Sequence, residues 1–412
     1  MATLDLKRKL AILSDAAKYD ASCASSGSIK RTSTGGKGVG STDQGMGICH
    51  AYAPDGRCIS LLKILLTNFC IYDCAYCINR VSSNTPRVRF SVEEVVDLTL
   101  AFYKRNYIEG LFLSSGIIRN ADYTMEEMVR VARALRLDHH FQGYIHLKLI
   151  PEASPALVTE AGLYADRVSI NIELPKDESL NLLAPQKDVG VIKKAMGGVR
   201  LSLEESREPA RKAPPPKFAP AGQSTQLIVG ADAASDADIL NRASGLYGSY
   251  GLTRVYYSAF SPIPEASAKL PPEKPPLMRE HRLYQADWLM RCYGFAREEI
   301  ATGEGGMLDL AIDPKLAAAL SNRGAYPVDV NRADREQLLR VPGLGVRSVD
   351  VLIDVRRYKR LTLEDVRRTC RGIAKVKPFI VTDDWSPGAL TDRADLRAWL
   401  PKEPEPQQLT LF

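Results

Sequence analysis

The chain has 412 residues, a hydrophobic share of 45% and a net charge of +6, enough apolar material for a full-sized core plus something smaller. No apolar run approaches the roughly 18 residues that a membrane span needs; the longest, from Ile59 to Phe69, is interrupted by Lys63. The N-terminus is charged and amphipathic with no apolar signal core, which points to the cytoplasm. There the eight cysteines read as reduced thiols or metal ligands, not as a disulfide framework, and six of them lie between Cys23 and Cys77.

Residues 1–58 form an N-terminal extension: a short helix, then a Gly/Ser/Thr-rich loop, SSGSIKRTSTGGKGVGSTDQGMG. Gly36-Lys37 resembles the end of a phosphate loop, but Gly38 stands where Ser or Thr is required. From 59 to 300 short apolar runs alternate with helical periods. Strands are predicted at 59–67, 110–114, 143–149, 167–172, 225–229 and 254–260, with helices between them. Ser91 with Glu94, and Thr124 with Glu127, have the spacing of capping boxes. Six strand–helix units in series imply an α/β fold with a parallel sheet or open barrel, a partial (β/α)6 arrangement. Pro-rich breaks at 209–220 and 262–276 read as surface loops, and a helix is expected at 278–295. Residues 301–326 serve as a linker to a small all-α module at 327–382, and 383–412 as a tail.

The segment Cys70-Ile-Tyr-Asp-Cys74-Ala-Tyr-Cys77 directly follows the first predicted barrel strand. Three thiolates spaced C-x3-C-x2-C can hold a [4Fe–4S] cluster and leave one iron without a protein ligand. That open iron can chelate the amino and carboxylate groups of S-adenosylmethionine (SAM). The spacing and its place after strand one resemble the radical SAM superfamily, in which reductive cleavage yields a 5′-deoxyadenosyl radical that abstracts a substrate hydrogen. A zinc knuckle or inert thiols are the alternatives. Tyr76 matches the superfamily's aromatic slot beside the adenine. Ser114, Ser115 and Gly116 close strand two as a small-residue turn facing the methionine amino group, without the usual acidic residue. Asn171 and Glu173 end strand four at the ribose position, and Ile228 to Gly230 resembles the adenine-packing segment. In parallel barrels such residues gather at the C-terminal strand ends. Cys23, Cys49 and Cys58 are candidates for an auxiliary cluster, with His50, or for a hydrogen donor; buried small hydrophobes are the plainer reading.

Residues 328–380 hold 13 Lys/Arg and 7 Asp/Glu, so the basic excess is local. Asn331 is expected to cap a helix ending at Val341, and Pro342-Gly343-Leu344-Gly345 to turn the chain into the next. This is a helix-hairpin-helix (HhH) pattern, whose glycines and helix N-terminus approach a DNA phosphate. Arg340, Pro342, Gly343, Gly345 and Arg347 are its candidate DNA contacts. A degenerate second copy is predicted as a helix at 363–369, a turn at Gly372-Ile373 and a helix at 375–380. The tail ends Gln408-Leu409-Thr410-Leu411-Phe412, which resembles the peptide by which bacterial replication and repair proteins hold the sliding clamp.

Longer stretches, among them AKYDASCASSG, GICHAYAPDGRCISLLKILLTN, VSINIELP, FAPAGQSTQLIVGA and REHRLYQADWLMRCYGF, resemble the family of putative DNA modification/repair radical SAM proteins, up to about Ile380. The resemblance implies a [4Fe–4S] cluster, SAM, a reductant such as flavodoxin or ferredoxin, and a uracil-DNA-glycosylase-like partner, but names no reaction. The expected function is repair or modification of a DNA base. Arg279, His281, Arg282, Tyr284 and Gln285 are expected to line the substrate mouth. An RNA- or tRNA-modifying radical SAM enzyme is the first alternative, and a noncatalytic, metal-containing DNA-binding scaffold the second.

Overall fold

The computed structural model describes residues 5–17, 48–52, 58–208, 217–370 and 372–400, without the side chains of 50–52. The chain divides into two compact units. One runs to Ala234 and includes Gly245–Pro275; the other holds Ser235–Ser244 and the chain from Pro276.

The first unit is built on one seven-stranded sheet in sequential order. Its strands are β1 (Ile48–Tyr52), β2 (Cys58–Leu65), β3 (Gly110–Ser114), β4 (Tyr144–Lys148), β5 (Arg167–Ser169), β6 (Gln223–Val229) and β7 (Arg254–Ala259). Strands β2 to β7 pair in parallel, and β1 adds antiparallel to β2. The sheet curls into a half-barrel, as the sequence leads one to expect. The antiparallel strand β1 has no sequence signal, because its five residues follow a loop-like run with no alternation to mark them.

Helices α1 (Leu6–Ala17), α2 (Val92–Lys104), α3 (Ala121–Arg133), α4 (Pro155–Tyr164), α5 (Asp177–Leu183) and α6 (Val189–Glu205) belong to this unit, and α7 (Asp236–Tyr250) begins in the other. The apolar strand positions Leu62, Ile64, Leu111, Leu113, Ile145 and Leu147 are fully buried and share one face. Ser91 closes the expected capping box on α2. The other expected box fails. Asn120 caps α3, accepting from Tyr123 N–H (2.7 Å). Thr124 lies inside the helix, where its hydroxyl donates to Ile118 O (2.9 Å) and accepts from Ile118 N–H (3.0 Å). An Asn one turn earlier satisfies the same helix terminus, so Thr124 turns to the preceding loop.

The second unit contains α8 (Leu277–Tyr293), α9 (Pro314–Ser321), β8 (Val328–Asp329), α10 (Arg335–Arg340), α11 (Val346–Val355), α12 (Leu363–Thr369), α13 (Ile373–Val376) and β9 (Ile380–Val381). It has its own core, including Leu338, Val341, Leu344, Leu352, Val376 and Phe379. Helix α8, grouped with the barrel by sequence, is part of this unit. Its buried Arg279 pairs with Asp236 (2.7 Å) and its Arg282 donates to Leu310 O (3.0 Å). Asp334, not Asn331, caps α10, in a box with Gln337. Asn331 bridges to Leu361, accepting from its N–H (2.7 Å) and donating to its carbonyl (3.2 Å). The helix expected at 375–380 is replaced by α13 and a short 3-10 turn, because Pro378 cannot continue a helix. Its last residue becomes β9, which pairs with β8 in parallel. Among the described residues no helix is long and apolar enough to cross a membrane.

Candidate active site around the cysteine loop

Strand β2 leads into the cysteine loop, which runs beside the segment leaving β3. Leu66 N–H donates to Ser114 O, Gly116 N–H to Thr67 O and Ile71 N–H to Ile117 O, each at 2.8 Å. This close approach requires glycine at 116, since a Cβ there would stand 2.3 Å from Phe69 O. Arg87 then gathers the loop around one guanidinium. It donates to the carbonyls of Asn79 (2.8 Å), Ser83 (3.1 Å), Asn68 and Arg80. Arg80 in turn donates to Glu265 O (2.6 Å), on the segment after β7. Two backbone N–H groups face sulfur: Tyr72 N–H to Cys70 Sγ (3.5 Å) and Asn79 N–H to Cys77 Sγ (3.4 Å). Hydrogen bonds of this kind tune the potential of sulfur-ligated iron.

Burial, reinforced by the neighbouring cysteines, pushes the Cys74 thiol up to about 11 and the Cys77 thiol up to about 12. Coordination to iron would hold them as thiolates, since a ligating thiol is deprotonated outright. Among the described residues, no three His, Cys, Asp or Glu side chains converge as a single metal ion requires. A cubane takes one thiolate per iron and needs no such convergence, whereas a structural zinc needs four ligands at one point. Three thiolates on one loop match the ligand count of a [4Fe–4S] cluster with one open iron.

On the loop and at the C-terminal ends of β3, β4 and β5 lie buried polar atoms with no hydrogen-bond partner among the described residues: Ser114 Oγ, Asn171 Oδ1 and both carboxylate oxygens of Glu152; the buried Tyr76 hydroxyl lies beside Cys74. Each such atom costs about 1–3 kcal/mol if left unmade, so several together mark the seat of a polar ligand. The amino, carboxylate and ribose groups of SAM offer the complementary donors and acceptors, and the residues fit it. Tyr76, Ser114 and Asn171 are among the residues that the sequence singles out. Glu152 was not, although its position just past the end of β4 is where a parallel barrel places functional groups. Burial raises its carboxyl above the ordinary range, with Lys187 opposing.

Glu173 is held in the left-handed region (φ +68°) and forms an ion pair with Lys187. Its backbone is fixed there by β6: Glu173 N–H donates to Gln226 O (3.2 Å) and Ile228 N–H to Glu173 O (2.7 Å). A non-glycine residue at positive φ at such a place is strain held by its surroundings. Against the burial that would lower it, the Lys187 ammonium is driven up by Glu173, Tyr76 and Cys74. Lys187 carries no sequence signal, since it follows the short α5 in an irregular turn. Gly230 takes φ +77°, and a Cβ there would meet Pro275 Cγ at 3.0 Å. Ser115 turns its hydroxyl to Gly116 O (2.6 Å), so its side chain serves the turn.

Other expected residues are placed elsewhere. Cys49 is buried against Ile59, Leu61 and Phe112, and the β1–β2 register puts Cys58 on the opposite face of the hairpin. The register sets these two cysteines on opposite faces, so they do not converge on one auxiliary cluster. Cys23, the Gly-rich loop, and the tail residues Gln408, Leu409, Leu411 and Phe412 lie outside the described residues. Arg340 is not open to a phosphate: it forms a two-pronged ion pair with Glu299 (2.6 and 2.8 Å) and lies over the Phe295 ring. Gly343 is exposed at φ +83°, Pro342 is buried, Gly345 caps α11 without a side-chain bond, and Arg347 is exposed. Of the expected mouth residues, Arg279 and Arg282 are buried and fastened within the second unit. Burial, aided by Arg282, lowers His281. Tyr284 and Gln285 share the same helix, and Gln285 accepts from Arg282 (2.7 Å).

Residues 64–233 match the family described as the Radical SAM superfamily. Members of that superfamily use a [4Fe–4S] cluster and SAM. No curated protein matches the sequence. Among solved structures, the chain is similar to the FeFe-hydrogenase maturase HydG from Carboxydothermus hydrogenoformans, at 15% identity and TM-score 0.41 over 53% of this chain and 48% of that one. It is similar to the Escherichia coli coproporphyrinogen III oxidase HemN, at 14% and 0.35 over 62% and 56%. It is also similar to the cobalamin-dependent radical enzyme OxsB, at 11% and 0.34 over 75% and 50%. The chain spans about half the length of the solved structures it matches.

Proposed function

We propose that this protein, an enzyme built on a radical SAM domain with a [4Fe–4S] cluster and SAM as cofactors, acts on DNA, repairing or modifying a base. One observation carries the choice of DNA. The turn between α10 and α11 exposes Gly343 at φ +83° ahead of the N-terminus of α11, where the Val346 N–H is met by the Tyr293 hydroxyl, in a stretch with 13 Lys/Arg against 7 Asp/Glu. Such a turn brings backbone N–H groups close to a phosphate without reading sequence. With Arg340 occupied by Glu299, the exposed Arg347 is the charged contact on this turn.

When bound, the cluster and SAM supply hydrogen-atom abstraction by one-electron chemistry. The chain's own residues do the positioning. Cys70, Cys74 and Cys77 hold the iron, Arg87 and Gly116 fix the loop that carries them, and Tyr76, Ser114, Asn171 and Glu152 orient the cofactor's polar groups. A base in a duplex must leave the stack to reach an enclosed site, at a cost of a few kcal/mol. Grip on the backbone by the C-terminal unit offsets that cost. A uracil-DNA-glycosylase-like protein, a sliding clamp held through the tail, and a flavodoxin or ferredoxin as reductant complete the proposed set of partners.

The test is 5′-deoxyadenosine production by the anaerobically reconstituted, reduced protein with and without duplex DNA. A rise with DNA is expected; stimulation by tRNA in its place moves the substrate to RNA. Cys74→Ala should abolish turnover while DNA binding persists. Loss of both would make the cluster structural.

A further inference from the structure

The α10–α11 turn is held from inside by two side chains of its own unit. Lys315, in the first turn of α9, is only 7% exposed, and its ammonium donates to Leu344 O at 2.6 Å. The same ammonium stands over the Tyr293 ring, 4.6 Å from its centroid, and the Tyr293 hydroxyl accepts from Val346 N–H. Gly343 is pressed against the α12–α13 turn: a Cβ there would stand 2.8 Å from Val376 Cγ2 and 3.6 Å from Gly372 O. The hairpin is thus a fixed shape, set by contacts on both of its glycine-bearing sides.

Stability alone does not account for this lysine. A cation in the first turn of a helix opposes the helix dipole, and a buried ammonium that donates to a carbonyl has lost most of its water for one neutral acceptor. Burial pushes Lys315 down to about 7; Asp313 opposes that shift and Lys375 adds to it, and those two are paired with each other. The ammonium does control the direction of one peptide group. The Leu344–Gly345 bond is trans, so its carbonyl and its N–H point to opposite sides. With Leu344 O drawn onto Lys315, Gly345 N–H faces away from the lysine. That N–H has no hydrogen-bond partner among the described residues, and it stands at the head of α11, whose first N–H groups lack intrahelical acceptors.

We propose that Lys315 is the positioning residue of the DNA-phosphate turn: it aims Gly345 N–H at the phosphate, and its own charge, buried behind the turn, is stabilised when the phosphate binds. The inference rests on the reading that this turn grips a duplex. A bound anion favours the charged lysine, so the complex keeps the proton to a higher pH than the free protein does. Duplex binding is therefore strongest below about pH 7, takes up a proton above it and weakens as the pH rises further. The groups that face the ammonium are Asp313 at the head of α9, Lys375 on α13 and the Tyr293 phenol on α8, which burial holds above its ordinary range.

The full-length protein, reconstituted with its cluster, is titrated into a fluorescent duplex oligonucleotide at constant ionic strength, from about pH 6.5 to about pH 8.5. Proton uptake on binding is read by calorimetry in buffers of differing ionisation enthalpy. Wild-type affinity should fall about fivefold across this range, with net proton uptake within it. Lys315→Met, which fills the same space without a charge, should bind about fivefold more weakly at the acid end and lose most of the pH dependence and the proton uptake. A lysine that served only to pack the turn would change affinity by the same factor at every pH. The wild-type profile and its proton uptake require no variant, so the inference stands or falls even where the substitution disturbs folding. Wild-type affinity that is indifferent to pH, or a pH dependence that survives in Lys315→Met, overturns the role of Lys315 and leaves the DNA reading standing. Absence of duplex binding at every pH overturns the DNA reading, and this inference with it.

Discussion

Replacing Arg87 by Met tests how the cysteine loop is held. The Arg87 guanidinium donates to four carbonyls, those of Asn68, Asn79, Arg80 and Ser83, which bracket the three cysteines in sequence. A hydrogen bond from a charged donor contributes about 1.5–3 kcal/mol, and such contributions within one network do not add. The loop is only partly buried, so released carbonyls recover water, and about 3 kcal/mol against the ordered loop is a fair expectation. At about 1.4 kcal/mol per tenfold, that lowers the population of the ligand-ready loop about 100-fold. Iron and acid-labile sulfide per chain should fall after reconstitution, and the loop amides should exchange hydrogen faster, while the melting of the rest of the first unit changes little. Arg87→Lys should recover little, because an ammonium cannot reach four carbonyls spread around a planar fork. Full iron content and unchanged loop exchange in Arg87→Met would refute the view that this side chain organises the site.

Gly116→Ala should cost about 2 kcal/mol or more and lower iron content, because its Cβ would meet a backbone oxygen, Phe69 O, at 2.3 Å, which no rotamer change relieves; thermal melting and iron analysis check this. Gly343→Ala combines φ +83° with a Cβ 2.8 Å from Val376 Cγ2; it should destabilise the second unit by about 1–2 kcal/mol and weaken duplex binding while leaving DNA-independent turnover intact. Lys315 lies buried beneath the α10–α11 turn, with its ammonium on Leu344 O (2.6 Å), and burial pushes it down to about 7. The unfolded chain keeps this proton to about 10.4, so between about 7 and 10.4 unfolding takes up a proton and stability from this group rises with pH. The stability of Lys315→Met relative to wild type should therefore be greatest below about pH 7 and decline above it, as read by denaturant unfolding across that range.

Much of this protein is legible in its residues. The C-x3-C-x2-C spacing after an apolar strand marks the proposed iron ligands because ligand number and separation are local properties of the chain. The strand at 110–114 and the helix at 363–369 fall where alternation and capping place them, since both signals act within a few residues. Tertiary structure decided the rest. Arg340 sits at the position of a phosphate contact in the helix-hairpin-helix pattern, but Glu299, forty-one residues earlier, pairs with it. Arg279 and Arg282 have the sequence pattern of a substrate mouth, but Asp236 and Leu310 O hold them within the second unit. Thr124 and Asn331 lost their expected caps to nearby Asn120 and Asp334, because a helix end accepts whichever short polar side chain the backbone presents first. Lys187 and Glu152 had no spacing to reveal them. Each depends on which strands lie side by side and in what register, and long-range pairing is set by the packing of the whole sheet, which no short window of sequence contains.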